Sequence, residues 1–276
     1  MAQGARVMEW GLRNRLSRVL KPEDGRTVML AVDHGYFLGP THRLEQPGKT
    51  VEPLLPYADA LMLTRGVVRT SLDAERDIPI VLRVSGGSTI VGSDLANETI
   101  TTSMRDAVRL NASAVALSVF IGSAYEHQTL ANLSRLVDRA IAVGIPVLAV
   151  TAVGTELEKR DARYLALCCR VVAELGAHFV KTYYCDGFDD VVAGCPVPIV
   201  IAGGPKLATE RDALQVAYRA LQEGAAGVDM GRNVWQSDHP VPMMRALRAI
   251  VHEHATVDEA HERFLELQRA PRSTLA

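Results

Sequence analysis

The chain has 276 residues, 48% of them hydrophobic, 5% aromatic and 22% charged. That composition predicts a soluble protein with an aliphatic core, within the length range of one α/β barrel. A formal charge of -2 gives no general electrostatic attraction for nucleic acid or an anionic membrane, so any phosphate recognition has to be local.

In chain order, Met8 to Leu20 carries Leu12, Leu16, Val19 and Leu20 at helical spacing and predicts a helix ahead of the main fold. Short apolar runs then recur: Val28–Val32, Ala60–Leu63, Ile80–Val84, Ala114–Val119, Val147–Val150, Ala177–Tyr184, Ile199–Ala202 and Gly227–Met230. Amphipathic stretches separate several of them, namely Glu126 to Val143, Arg160 to Leu175 and Glu210 to Glu223. Each is closed by a glycine: Gly144, Gly176 or Gly224. Between Gly35 and Pro56 the prolines predict a connection that is mostly loop. Thr256 to Leu267 reads as a last helix, and Pro271 to Ala276 as a fraying tail.

Eight strands alternating with helices predict parallel pairing and closure into a (β/α)8 TIM barrel. No linker or composition shift divides the chain. The expectation is a single domain over 1–276, with a helical extension at 1–25 and a terminal helix and tail at 256–276. The four cysteines, Cys168, Cys169, Cys185 and Cys195, have neither metal-ligand spacing nor disulfide-scaffold density, which favours a reducing compartment. The start of the chain lacks the apolar core of a signal peptide, and no run is long enough to cross a bilayer. A cytoplasmic protein is expected, with no metal site and no membrane or nucleic-acid partner.

In a barrel, the residues that follow the strands gather at one mouth. Lys181 stands near the end of the sixth strand, in an apolar run where a lysine is unusual. It reads either as a snorkelling side chain or as a desolvated amine able to form a Schiff base. Asp33 follows the first strand and suits proton transfer near that amine. His34 alternates away from it and is a candidate acid/base or a packed histidine. Gly203 and Gly204 follow the seventh strand, and Gly231 and Arg232 the eighth, where barrels commonly bind phosphate and where a one-turn helix is expected.

The stretches Ala31–Phe37, Val180–Tyr184, Pro198–Gly204 and Val228–Asn233 resemble the class I aldolase family of metal-free barrel enzymes. The resemblance covers most of the chain. It implies Lys181 as the Schiff-base lysine, Asp33 as the acid/base group, and Gly203, Gly204, Gly231 and Arg232 as the phosphate site. Aldolases of the family carry a tyrosine near the end of the fifth strand, where Val150–Gly154 places Ala152. Tyr36–Phe37, Ile121–Gln128 and Val234–Pro240 are instead similar to a thiolase branch that degrades a phosphorylated quorum signal. That branch implies a phosphorylated ketone substrate and coenzyme A as cosubstrate, with no tightly bound cofactor. Its products would be dihydroxyacetone phosphate and acetyl-coenzyme A. His34 and Cys185 are candidates by position for deprotonating the thiol. The competing readings are a sugar-phosphate aldolase using the same lysine and an inert barrel that senses a phosphorylated signal. Family resemblance also implies a homo-oligomer, often a decamer.

Overall fold

A computed structural model describes residues 9–152 and 161–269. Eight parallel strands close into a barrel: β1 (Thr27–Ala31), β2 (Ala60–Thr64), β3 (Ile80–Arg83), β4 (Ala114–Val119), β5 (Val147–Thr151), β6 (Phe179–Tyr183), β7 (Ile199–Ala202) and β8 (Gly227–Met230). They neighbour one another in sequence order, and β1 pairs with both β2 and β8. Every expected strand is present, with ends shifted by a residue or two where they differ.

The amphipathic stretches fold as Glu126–Ile141, Ala162–Glu174 and Glu210–Gln222. Positive φ values at Gly144, Gly176 and Gly224 follow them. The expected start at Arg160, the pair Val153–Gly154 and the tail 271–276 lie outside the described residues. Two regions differ from expectation. The proline-rich first connection contains three short helical pieces, Gly35–Leu38, Pro47–Val51 and Glu52–Tyr57, because prolines in the first turns of the latter two fit the helix start. After β3 the chain forms a small antiparallel ribbon, Ser85–Gly86 with Thr99–Ile100, that stands at the mouth.

Side-chain alternation along the strands sorts the core into two parts. Val28, Leu30, Val180, Ile201 and Val228 point outward into the layer shared with the helices. Met29, Ala31, Met62, Val81, Ala114, Ala116, Leu148 and Phe179 point inward and fill the barrel with alternating small and large groups. Val19 and Leu16, on the helix Trp10–Val19, join that inner cluster and plug its lower end. The same alternation carries upward. Asp33 continues Met29 and Ala31, Arg83 continues Val81, Ser118 continues Ala116, and Lys181 continues Phe179.

At the lower end, a polar latch ties β1 and β2 to the helix Pro240–Glu253. Asp59 accepts the Val28 N–H at 2.7 Å and a hydrogen bond from Arg248 at 2.9 Å, and Lys21 lies 3.8 Å away. His252 bridges Asp59 at 2.7 Å and Asp24 at 2.6 Å. Burial alone would lower the His252 pKa, but its hydrogen bonds to Asp59 and Asp24 raise it. Asp24 and Asp59 are both held below the usual carboxylate range, against burial, by hydrogen bonds that His252 heads.

A histidine with a raised folded-state pKa contributes stability fully below its unfolded pKa, about 6.5, and loses it as pH rises through the folded value. His252→Ala is therefore expected to cost about 1.5–3 kcal/mol near neutral or lower pH, in line with hydrogen bonds to charged groups. The difference in melting temperature from wild type should be full below about pH 6.5 and narrow as pH rises above it through the raised folded-state value. Thermal melts of both proteins across that range measure it, and a pH-independent difference would rule out a charged latch.

Candidate active site

The mouth of the barrel encloses a cavity of about 200 Å³. Lys181, Asp33, His34, Gly203, Gly204, Gly231 and Arg232 all line it, so the residues singled out from the sequence come together. Lys181 is only 7% exposed, and its Nζ lies 2.8 Å from Oδ2 of Asp229 on β8. Asp229 is buried, and neither of its carboxylate oxygens sits in ordinary hydrogen-bond geometry, so the contact is close but poorly aligned. Burial pushes the Asp229 carboxyl up, against the pull of the Lys181 ammonium.

Asp33 occupies a different electrostatic state. Arg83, from the end of β3, donates from Nε to Asp33 at 2.9 Å and from Nη1 to Ser118 at 2.9 Å. Burial would raise the Asp33 pKa, but the Arg83 guanidinium, with His34 and Lys181 nearby, holds it below the usual range. Burial would likewise make Arg83 easier to deprotonate, yet the surrounding acidic groups keep it firmly charged. Asp33 is thus a fixed carboxylate, while the carboxyl in contact with the lysine is Asp229.

His34, expected to turn away from Asp33, faces the cavity as well, because the chain bends at once into the helix Gly35–Leu38. Its ring stands edge-on to Trp235 at 5.3 Å, and Nδ1 is 3.8 Å from Asp33 with no hydrogen-bond partner. Burial lowers its pKa to about 4, so it is a neutral imidazole at ordinary pH. Cys185 does not line the cavity, and burial raises its thiol pKa to about 11.

Gly231 is required by its own neighbours: a Cβ there would stand 2.5 Å from His34 Cε1 and 2.6 Å from the Ala31 carbonyl oxygen. Gly204 has φ of +67°, a left-handed conformation that exposes its backbone to the cavity. Asn233 fixes the turn between them, donating to the carbonyls of Gly203 at 2.8 Å and Pro205 at 3.1 Å and accepting the Leu207 N–H at 2.9 Å. The expected one-turn helix is Arg232–Trp235. Ala152 lines the cavity beyond β5. Among the described residues, no three His, Cys, Asp or Glu side chains gather as a metal site, and no helix is long and apolar enough to cross a membrane.

Sequence reasoning passed over Asp229, Arg83 and Ser118, and also Glu98 of the loop after β3. For the first three the signal was alternation: Arg83 lies two residues from inward-facing Val81 and Ser118 two from Ala116, and Asp229 alternates with outward-facing Val228 and Met230. Glu98 had no such signal, because its place depends on the ribbon.

A family model described as DeoC/LacD family aldolase matches residues 27–237. The chain is 52% identical over 264 residues to a 3-hydroxy-5-phosphonooxypentane-2,4-dione thiolase of Escherichia coli (strain K12), covering 95% of this chain and 90% of that protein. It is 50% identical over 267 residues to the protein of the same name from Yersinia pseudotuberculosis serotype O:1b (strain IP 31758), covering 96% and 91%. Among solved structures, the crystal structure of an archaeal fructose 1,6-bisphosphate aldolase superposes with a TM-score of 0.80 at 27% identity, over 88% of this chain and 99% of that one. An archaeal fructose-1,6-bisphosphate aldolase with its catalytic lysine covalently bound to the carbinolamine intermediate superposes with a TM-score of 0.79 at 27% identity, over 87% and 99%.

Removing Arg83 leaves Asp33 as an uncompensated buried charge. Arg83→Met is expected to lower stability at neutral pH by about 3–5 kcal/mol, the usual cost of breaking a buried pair from one side. A depressed carboxyl contributes stability above its unfolded pKa, about 3.9, and loses it as pH falls through the folded value. The gap between wild type and variant should therefore be full at neutral pH and narrow in acid. Urea unfolding at several pH values measures it; an equal gap at every pH would mean that Arg83 acts by packing alone.

Proposed function

The chain belongs to the DeoC/LacD aldolase family, and we propose that it is a thiolase that cleaves 3-hydroxy-5-phosphonooxypentane-2,4-dione with coenzyme A through a Schiff base on Lys181. The observation that carries this reading is the buried Lys181–Asp229 contact at 2.8 Å, in a chain half identical to the thiolases throughout its length. Attack on a carbonyl needs a neutral amine. Asp229, whose Oδ2 lies 2.8 Å from the lysine Nζ and whose carboxyl burial pushes up, is the group placed to take the lysine's proton.

The phosphate of the substrate lies against the backbone at Gly203, Gly204 and Gly231, with the Arg232 fork completing its charge balance. That placement sets the neighbouring keto carbon against Lys181. Loss of water gives an iminium, which draws electrons from the bond two atoms away. Asp33, held ionised by Arg83, stabilises the positive iminium across the mouth. Coenzyme A thiolate adds to the second keto group, and the bond to the hydroxyl-bearing carbon breaks into the enamine. Protonation and hydrolysis release dihydroxyacetone phosphate, and the two-carbon unit leaves as acetyl-coenzyme A. Neutral His34 stands beside Asp33 in this scheme, its Nδ1 3.8 Å from the carboxylate, as an uncharged neighbour and not as a cation.

Aldol cleavage of a sugar phosphate by the same lysine is the second reading, supported by the likeness to the archaeal aldolases. Against it stands Ala152, whose methyl group lines the mouth after β5 and can neither give nor take a proton.

Borohydride reduction in the presence of the phosphorylated dione is expected to fix one substrate-derived adduct on wild type and none on Lys181→Met, by intact mass. Asp229→Asn should slow adduct formation about 10²–10⁴-fold, the usual worth of a positioned proton acceptor. Acetyl-coenzyme A should appear only when coenzyme A is supplied. Cleavage that proceeds equally without the thiol would favour the aldolase reading, and the absence of any adduct would leave only a binding protein.

A further inference from the structure

The cavity has a second polar centre, apart from the lysine and the phosphate turn. Glu98, 3% exposed, accepts the Tyr36 hydroxyl at 2.7 Å on one carboxylate oxygen and the Ser85 hydroxyl at 2.6 Å on the other. Ser85 in turn accepts the Ser118 N–H at 2.9 Å, so the group is tied to β4. The Glu98 carbonyl accepts from Gln128 at 2.6 Å and Asn132 at 3.3 Å, which fixes the base of the ribbon against the helix Glu126–Ile141. Tyr36 lies beneath the Arg83 guanidinium, 5.2 Å from its ring centroid, and a Cβ at Gly86 would stand 3.1 Å from that ring. Tyr36 and Glu98 line the cavity beside Leu95, Phe120 and Phe37. Burial, helped by Glu98, raises the Tyr36 pKa, so the phenol keeps its proton at rest.

The position of this group bears on the reaction. β7 and β8 supply the phosphate turns and β6 the lysine, whereas Ser85 and Glu98 follow β3 on the other side of the barrel. A substrate that runs from the phosphate turn past Lys181 brings its far keto group toward Tyr36, between apolar walls that suit a methyl group. Resting on the thiolase reading, we propose that Tyr36 and Glu98 form the proton relay that activates the attacking thiol. A carboxylate that only pinned the ribbon would have no need to line the cavity together with its phenol partner.

The step balances. The thiol proton passes to the Tyr36 oxygen as the Tyr36 hydroxyl proton passes to Glu98, and sulfur bonds to the keto carbon. The oxyanion collapses to the thioester carbonyl, the adjacent carbon–carbon bond breaks, and its electron pair enters the Lys181 iminium as an enamine. One proton leaves the thiol and one is added to the enamine carbon, so neither an oxidant nor a reductant is needed.

The test compares full-length wild type with Glu98→Gln and Tyr36→Phe, supplied with the phosphorylated dione and coenzyme A. Acetyl-coenzyme A formation is expected to fall about 10²–10⁴-fold in each variant. Borohydride trapping at Lys181, without coenzyme A, should match wild type. The deficit should shrink as pH rises toward the thiol's own pKa, since solvent then supplies the thiolate. Unchanged transfer, a deficit that is the same at every pH, or transfer and trapping that fall together in Tyr36→Phe would each overturn the relay. Should Glu98→Gln fail to trap, Tyr36→Phe, which removes a single oxygen atom, decides alone by the same criteria. A wild type that traps substrate yet makes no acetyl-coenzyme A would overturn the thiolase reading itself, a result distinct from an active wild type with unaffected variants.

Discussion

Two opposite charge pairs share the mouth of one barrel, Asp33 with Arg83 and Lys181 with Asp229, and the chemistry depends on their not being equivalent. Isolated in so dry a place, any of the four would be costly; paired, each cost is offset by a neighbour. Arg83 gives Asp33 a well-aligned guanidinium hydrogen bond and anchors its own other arm on Ser118. That geometry favours the ionised form. Lys181 meets Asp229 at a shorter distance but off the preferred line, with burial pressing the carboxyl toward its neutral state. One pair is therefore held as charges, whereas in the other burial works against the carboxylate. A Schiff-base lysine needs both conditions, a route to the neutral amine and a fixed anion to face the iminium.

Holding four charged groups in register requires a rigid floor. Met29, Met62, Leu148 and Phe179 fill the barrel below them, and the helix Trp10–Val19 closes the lower end with Leu16 and Val19. At the rim of that end, Asp59 connects the start of β1 to Arg248 and His252. β1 is thus gripped at its foot by a polar latch and presents Asp33 at its head. Stability and reactivity are separated along one strand, as in barrels generally.

The barrel was legible because its signal is local: eight short apolar runs, helical patterns between them, and glycines at the helix ends. Lys181 and Asp33 were legible for a related reason, since a charge at the end of an apolar strand has few places to go but the mouth. Asp229 and Arg83 carried the same mark yet read as ordinary strand residues, because what distinguishes them is a partner two strands away in space. Alternation alone would have placed both inside. Glu98 could not be read in this way. It sits at the end of a loop whose path depends on the ribbon Ser85–Gly86 with Thr99–Ile100, a pairing of two residues on each side that leaves no periodicity. Gly231 was read as part of a phosphate site at the start of a one-turn helix; the structure adds that His34 and the Ala31 carbonyl already fill the space a side chain would need.

The absence of a tyrosine after β5 has a physical counterpart elsewhere in the cavity. Ala152, the last described residue after β5, contributes only a methyl group to the cavity lining. A phenol is nevertheless present, supplied by β1's loop as Tyr36 and backed by a buried carboxylate. Moving the phenol from one side of the cavity to another changes which atom it can reach. On the proposed mechanism, a barrel with such a lysine can break a different bond from an aldolase's, because the bond that breaks is set by where the second proton-handling group stands relative to the iminium.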